Sequence, residues 1–247
     1  NQQTLHLRRI ANDKQAGPAV FFMHGAVENG KIFYTHSNKG LAPYLAEQGY
    51  CCYVADLRGR GESKPLISPQ AKYGQTEAIV EDIPAFINYI EQFEGKKPDY
   101  WVAHSWGGVL MNSVFARFPE YLKEVKACAY FGSKRSLFNN HPKKLLQANI
   151  IWYFMAPILA KKQGYLNAKG YKWGSDNESQ KSHYQSMQWA KKRPWIDSDD
   201  GFDYAKALAK VQVPPTLHIG AVNDKALAQP IDIKKFMAES GPGKQTL

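Results

Sequence analysis

The stretch Asp99 to Gly108, DYWVAHSWGG, limits the folds open to this chain more than any other. Tyr100 to Ala103 reads as a short buried strand. Val109, Leu110, Val114 and Phe115 then recur at helical spacing. Between strand and helix stands Ser105, in Ala103-His104-Ser105-Trp106-Gly107. This fits the nucleophile elbow G-x-S-x-G with alanine at its first small position. A serine on so tight a strand-to-helix turn needs small residues two before and two after it, so that neighbouring backbone can close in. The bland reading is a small-x-Ser-x-small pentapeptide in an ordinary loop. The strand in front and the helix behind argue against it.

The rest of the chain repeats the same strand and helix rhythm. Leu5, Leu7 and Ile10 alternate roughly and precede a turn at Asn12, Asp13, Gly17 and Pro18, which suggests an initial hairpin or edge strand. Ala19 to Met23 is a compact apolar strand ending in His24-Gly25, with Gly30 in the loop beyond. A short helix at Leu41, Leu45 and Ala46 stops at Gly49. Tyr50 to Ala55 is a second buried strand, and it runs into Asp56-Leu57-Arg58-Gly59-Arg60-Gly61-Glu62-Ser63, where glycines alternating with charges make a loop. Ile79, Ile83, Phe86, Ile87 and Ile90 lie at helical intervals across 75–93, with Pro84 implying a kink or a later start. After the elbow helix, which ends near Phe118-Pro119, Val125 to Phe131 is a further buried strand. Thr216 to Ile219 is another, followed by Gly220-Ala221-Val222-Asn223-Asp224 and a helix over about 231–239. Strands alternating with helices in this way predict an α/β fold with a mostly parallel central sheet covered on both faces.

The rhythm breaks between 133 and 202. Four tryptophans (Trp152, Trp173, Trp189 and Trp195) and several other aromatics fall there without a convincing strand, and a long helical piece runs over 142–162, interrupted at Pro157. We read this segment as a helical lid inserted into a core made of 1–132 and 203–247. It carries twelve Lys and Arg, including Lys134, Lys192 and Arg193, against five Asp and Glu, and so holds much of the net charge of +10. Such an excess suits an anionic surface or substrate, while a solvated helical surface is the plainer account. No nucleic-acid-binding motif accompanies it. The three cysteines include the neighbours Cys51 and Cys52, which point to opposite faces of a strand; with no framework or metal-type spacing, they are expected to be reduced, buried thiols in a cytoplasmic protein.

Four features therefore stand in order: His24-Gly25 after one strand, the D-L-R-G-R-G-E-S loop after the next, the AHSWGG elbow, and G-A-V-N-D after a late strand. Together they resemble the α/β-hydrolase superfamily, more narrowly its lysophospholipase-like and monoacylglycerol-lipase-like serine hydrolases. The resemblance covers nearly the whole chain outside the lid. It implies Ser105 as nucleophile, forming an acyl-enzyme with an ester, and Asp224 as the acid. It implies the backbone N–H groups of Trp106 and Ala26 as oxyanion donors, with His24 and Gly25 as the supporting loop. Asp56, on an early loop, is expected to shape the upper edge of the sheet instead. Neither cofactor nor metal is implied. A small-molecule ester with a hydrophobic, lipid-like acyl group is the expected substrate, and the aromatic lid would line its pocket.

In this superfamily the order is Ser, acid, His, yet no histidine follows Asp224. Of the seven histidines, His24 belongs to the oxyanion loop, His104 precedes the nucleophile, His218 lies within a strand and His183 is on the lid; His6, His36 and His141 read as surface. Lys244 to Leu247 looks like the start of the last strand, so the catalytic histidine is expected beyond Leu247. The chain as given would then be nearly inactive, because a serine without its base is a weak nucleophile. The alternative reading is a hydrolase-fold protein that binds a ligand or partner without turnover.

Overall fold

The computed structural model describes residues 3–12, 17–191 and 194–247. Along the chain the strands are β1 (His6–Ile10), β2 (Ala19–Met23), β3 (Cys51–Asp56), β4 (Tyr100–His104), β5 (Ala127–Phe131), β6 (Tyr165–Leu166), β7 (Glu178–Ser179), β8 (Thr216–Ile219) and β9 (Gln245–Thr246). Seven of them form one sheet in the order β1-β3-β2-β4-β5-β8-β9. β1 runs antiparallel to β3, and the other pairings in this sheet are parallel. The expected mostly parallel sheet flanked by helices is therefore present, with β1 as its antiparallel edge. The turn expected between Asn12 and Pro18 falls partly on 13–16, outside the described residues.

β2 (AVFFM) and β3 (CCYVAD) are buried at every position, the pattern of strands covered on both faces. Ala19, Phe21, Met23, Cys51, Tyr53 and Ala55 join the larger core with Trp101 and Phe115. Val20, Phe22, Cys52 and Val54 join a second core with Phe33 and Ala42 on the other face. Neighbouring strand residues thus divide between the two cores, and Cys51 and Cys52 divide with them. All three cysteines are buried free thiols, and burial pushes those of Cys52 and Cys128 up to about 12.

The helices are α1 (Leu41–Glu47), α2 (Gln75–Glu77), α3 (Ile83–Glu94), α4 (Trp106–Arg117), α5 (Pro142–Lys144), α6 (Ala156–Gln163), α7 (Gln180–Ala190), α8 (Tyr204–Leu208) and α9 (Pro230–Glu239). The kink anticipated at Pro84 takes the form of a π-helical stretch, Ala78–Asp82, with Pro84 in the first turn of α3. A proline lacks the N–H and crowds the carbonyl one turn back, and a widened turn relieves both. Pro157 is handled in the same way. Leu145–Met155 is π-helical and hands over to α6, so the run is continuous where the sequence suggested an interruption. The segment between β5 and β8 also contains a small antiparallel pair, β6 with β7. That corrects the expectation of no strand there: two residues per strand are too few for periodicity to register.

Register decides what meets at the carboxyl edge of the sheet. Met23 pairs with Ala103, His104 with Phe131, and Phe131 with Ile219. The ends of β2, β4, β5 and β8 are therefore level, and His24-Gly25, Ser105, Lys134 and Asp224 all leave from that edge. Ligands of open parallel sheets gather at such carboxyl ends. α4 starts hard against β2, because a Cβ added to Gly107 would lie 2.5 Å from the carbonyl oxygen of Met23. Replacing Gly107 by alanine should therefore force helix and strand apart. We expect a loss of about 1–3 kcal/mol, read as a lowered urea midpoint with an unchanged m-value.

Candidate active site

Ser105 lies between the last residue of β4 and the first of α4, with φ 51° and ψ −118°. A non-glycine residue held in so sparsely populated a region costs about 1–3 kcal/mol, and such residues cluster at functional sites. The conformation is fixed from both sides: Ser105 N–H donates to the carbonyl of Phe131 at 2.8 Å, and the Ser105 carbonyl accepts the N–H of Gly108 at 3.3 Å. The turn lifts the hydroxyl above the sheet edge, while Trp106 opens α4, whose first N–H groups have no carbonyl partner inside the helix.

The loop after β2 lies directly against this turn. A Cβ on Gly25 would come within 2.9 Å of the Ser105 Cβ, so only glycine lets the loop approach so closely. His24 is buried and bonded on both ring nitrogens. Nε2 accepts the Leu57 N–H at 3.2 Å, so Nδ1 carries the proton and donates to the Gly25 carbonyl at 2.9 Å. Burial, then the Arg60 charge, hold its pKa below the ordinary histidine value, keeping the ring neutral. The Gly25 N–H is taken by Glu28 Oε2 at 2.9 Å, and the same oxygen bonds His104 Nδ1 at 2.8 Å. Burial raises the Glu28 carboxyl, but the His104 bond and charge outweigh it and bring it below its ordinary value. Val27 has φ 51°, an outlier for a β-branched residue. Glu28 ties this strained loop to β4 and leaves Ala26 presented beside Ser105 at the cavity wall.

Asp224 also reaches this edge. Its Oδ1 accepts the N–H groups of Leu227 at 2.8 Å and Ala226 at 3.0 Å. Burial pushes its carboxyl up, yet these two N–H groups and the Lys134 charge hold it below the ordinary carboxylate value. Asp56 is elsewhere, pairing with His6 at 2.8 Å and accepting Gly30 N–H at 2.7 Å and Glu62 N–H at 3.0 Å. The side chain that reaches Ser105 is Lys134, whose Nζ donates to Oγ at 2.9 Å. By sequence alone Lys134 is one of the charges of the lid segment. Its signal was its place, two residues beyond Gly132 at the end of the strand neighbouring β4. Among the described residues no hydrogen bond joins a histidine to Oγ: His218 bonds Gln245 at 2.6 Å, His141 accepts the Lys143 N–H, and the buried His183 lies edge-on to Trp152 at 4.6 Å.

Ser105, Lys134 and Ala26 open on a cavity of about 440 Å³ whose walls include Ile151, Trp152, Tyr153, Trp173 and Leu227. Four of those five wall residues come from the segment between β5 and β8. Buried polar contacts hold this segment down. Trp106 Nε1 donates to Gln75 Oε1 at 3.0 Å, and Gln75 Nε2 donates to Ser182 Oγ at 2.7 Å. Arg60 joins the two sides, donating to the Gly25 carbonyl at 3.1 Å and pairing with Glu178 of β7 at 3.0 Å. Among the described residues, no group of three or more His, Cys, Asp or Glu is placed to hold a metal ion.

A family model described as alpha/beta hydrolase fold matches residues 18–236. Human lysosomal acid lipase/cholesteryl ester hydrolase is 30% identical over 128 residues, 49% of this chain and 32% of that protein. Human lipase member K is 31% identical over 116 residues, 44% of this chain and 29% of that protein. Each match therefore spans less than a third of the curated relative. Among solved structures, a soluble variant of monoglyceride lipase from Saccharomyces cerevisiae, in complex with a substrate analog, has a TM-score of 0.64 at 19% identity. That likeness covers 100% of this chain and 83% of the other, and is one of fold.

The Arg60–Glu178 pair allows a direct check of how loop and overlying segment are joined, since the two residues are 5% and 0% exposed. Arg60→Met leaves a carboxylate buried without its cation and should cost about 3–5 kcal/mol of unfolding free energy. Arg60→Met with Glu178→Gln should recover most of that loss. Equal losses in the single and double variants, measured by urea unfolding, would refute the coupling.

Proposed function

The chain belongs to the alpha/beta hydrolase fold family, and on that premise we propose that it is a serine hydrolase cleaving a carboxylic ester with a hydrophobic, lipid-like acyl group through an acyl-enzyme. The observation that carries this reading is Ser105 itself, held at φ 51° beside a cavity of about 440 Å³ walled by aromatic and aliphatic side chains. Ser105 Oγ attacks the ester carbonyl carbon. The N–H groups of Trp106 and Ala26 hold the oxygen that becomes negative, where a lost donor costs about 3–4 kcal/mol of barrier. Asp224 supplies the negative charge that stabilises the cation formed when the serine proton is taken. The lipid-like acyl group follows from the walls, and the lipases among the relatives point the same way.

The segment over the site serves in this reading as a lid. It exposes Leu145, Leu146, Ile150, Phe154 and Ile158 between Lys143 with Lys144 at one end and Lys161 with Lys162 at the other. Exposed apolar side chains flanked by cations suit an anionic amphiphile surface. No helix among the described residues is long and apolar enough to cross a membrane, so contact of this kind would be at a surface. Lys192 and Arg193, part of the expected basic set, lie outside the described residues.

A fluorophosphonate probe applied to the full-length protein tests the central claim: we expect labelling at Ser105, and Ser105→Ala should lose labelling and at least about 1,000-fold in kcat/KM on long-chain esters. A full-length protein that stays unlabelled would favour binding without turnover. Sedimentation with vesicles tests the surface contact. Phosphatidylglycerol vesicles should retain the protein more strongly than phosphatidylcholine vesicles, with the difference shrinking as salt rises.

A further inference from the structure

The loop after β2 is held at backbone groups on either side of Ala26. The Gly25 N–H goes to Glu28 at 2.9 Å, the Gly25 carbonyl accepts from His24 Nδ1 at 2.9 Å and from Arg60 Nη1 at 3.1 Å, and the Val27 carbonyl accepts the N–H of Asp176 at 3.0 Å. Among the described residues no hydrogen-bond acceptor takes the Ala26 N–H, which lies between these fixed points at the cavity wall. The Gly25 carbonyl and the Ala26 N–H belong to one trans peptide, so they point in opposite directions. Fixing the carbonyl therefore fixes the line along which the N–H is presented. The amide of Trp106 has α4 to hold it, whereas Ala26 has only this loop, beside Val27 at φ 51°.

We propose that Arg60 is a positioning residue for the reaction: its guanidinium, anchored by Glu178, sets and polarises the Gly25–Ala26 peptide so that the Ala26 N–H is aimed at the oxygen that becomes negative. This rests on the serine hydrolase reading above. Both lone pairs of the Gly25 carbonyl are taken, one by a neutral imidazole N–H and one by a charged guanidinium N–H. The charged donor makes the stronger bond. Electron density drawn toward the carbonyl oxygen leaves the amide proton of the same peptide more positive, so it bonds an oxyanion more tightly than an unassisted N–H would. The ester oxygen gains its charge only as Oγ bonds to the carbonyl carbon. The assistance therefore grows on the way to the transition state and is small for bound ester.

Arg60 is kept at this carbonyl from the other side. Its Nη2 pairs with Glu178 Oε1 at 3.0 Å, and both side chains are buried. Asp176, two residues before Glu178, gives its N–H to Val27 and accepts the Gly61 N–H at 2.6 Å. One short stretch of the overlying segment thus holds Arg60, the residue after it and the loop that carries Ala26. A planar guanidinium serves two acceptors at fixed angles, which an ammonium does with less geometric control. A strut between loop and overlying segment would need only the bond to Glu178; the bond to the Gly25 carbonyl is what reaches the site.

The test is fluorophosphonate labelling of Ser105 in the full-length protein, with the maximal labelling rate and the half-saturating probe concentration read separately. The wild type is compared with Arg60→Met combined with Glu178→Gln, which removes both buried charges together and is expected to recover most of the stability lost by Arg60→Met alone. The double variant should lose about 10-fold or more in maximal rate at an unchanged half-saturating concentration, since a lost oxyanion donor costs about 100- to 1,000-fold and a misaimed one part of that. A double variant that labels at the wild-type maximal rate would leave Arg60 a strut and overturn the proposal, as would a loss confined to the half-saturating concentration. A second reading needs no variant. Phosphonylation of the wild type places an oxygen where the oxyanion would lie, so the NMR signals of the Ala26 N–H and the Arg60 Nη–H should both move. An unmoved Ala26 signal, or one that moves while Arg60 stays, overturns the proposal even where the double variant does not fold. A full-length wild-type protein that never labels sinks the serine hydrolase reading itself, which separates that failure from the failure of Arg60.

Discussion

A Cβ at Gly107 would stand 2.5 Å from the Met23 carbonyl, so the start of α4 touches the end of β2 backbone to backbone. From that contact the rest of the edge follows. Helix α4 can begin only where β4 has ended, level with Met23, which leaves Ser105 as the single residue in which the chain turns from strand to helix. The turn forces φ to 51°, and the strain is carried by the sheet on one side and an almost wholly buried helix on the other. Gly25 then lies against the Ser105 Cβ. The site is thus an extension of core packing, with little freedom to move independently of it.

The segment above the site is joined by mixed means. Trp189 and Trp195 are buried in the larger core, Trp189 against Trp106, and polar contacts run through Gln75, Arg60 with Glu178, and Arg117 with the buried Asp197, which also accepts from Thr76 and Tyr204. Polar contacts of this kind add less net stability than apolar burial of the same area, because each group gives up water to form them. They do require particular partners at particular distances. Such a joint fixes where Trp152, Tyr153 and Trp173 stand over Ser105 while the large exposed side chains of the same segment stay outside the core.

What could be read from the sequence was whatever is local or periodic. Five buried strands, the helix after Ser105 and the glycine-bearing loops all declare themselves within a dozen residues, and register then places Ser105 and Asp224 on one edge. The small β6–β7 pair gave no periodic signal, and the π-helical stretches at Ala78–Asp82 and Leu145–Met155 differ from α-helix by less than a side-chain pattern resolves. The approach of Lys134 to Ser105 was illegible for another reason. It joins residues 29 apart in sequence through the pairing of β4 with β5, and a lysine in a basic segment looks like surface charge until that pairing is known. Glu28 was hidden in the same way, its bond to His104 spanning 76 residues.

Asp224 looks different once Lys134 is set beside it. An acid in contact with an amine would hold it firmly as an ammonium. Asp224 instead spends its oxygen on two backbone N–H groups and acts on Lys134 through space. The attraction at such a separation is weaker than the desolvation that opposes it, which leaves the amine's pKa lowered overall. It grows in importance only when the amine gains a proton, since a neutral amine has no charge for the carboxylate to attract. The carboxylate therefore eases a positive charge on Lys134 without cancelling the cost of its burial, which remains the larger influence.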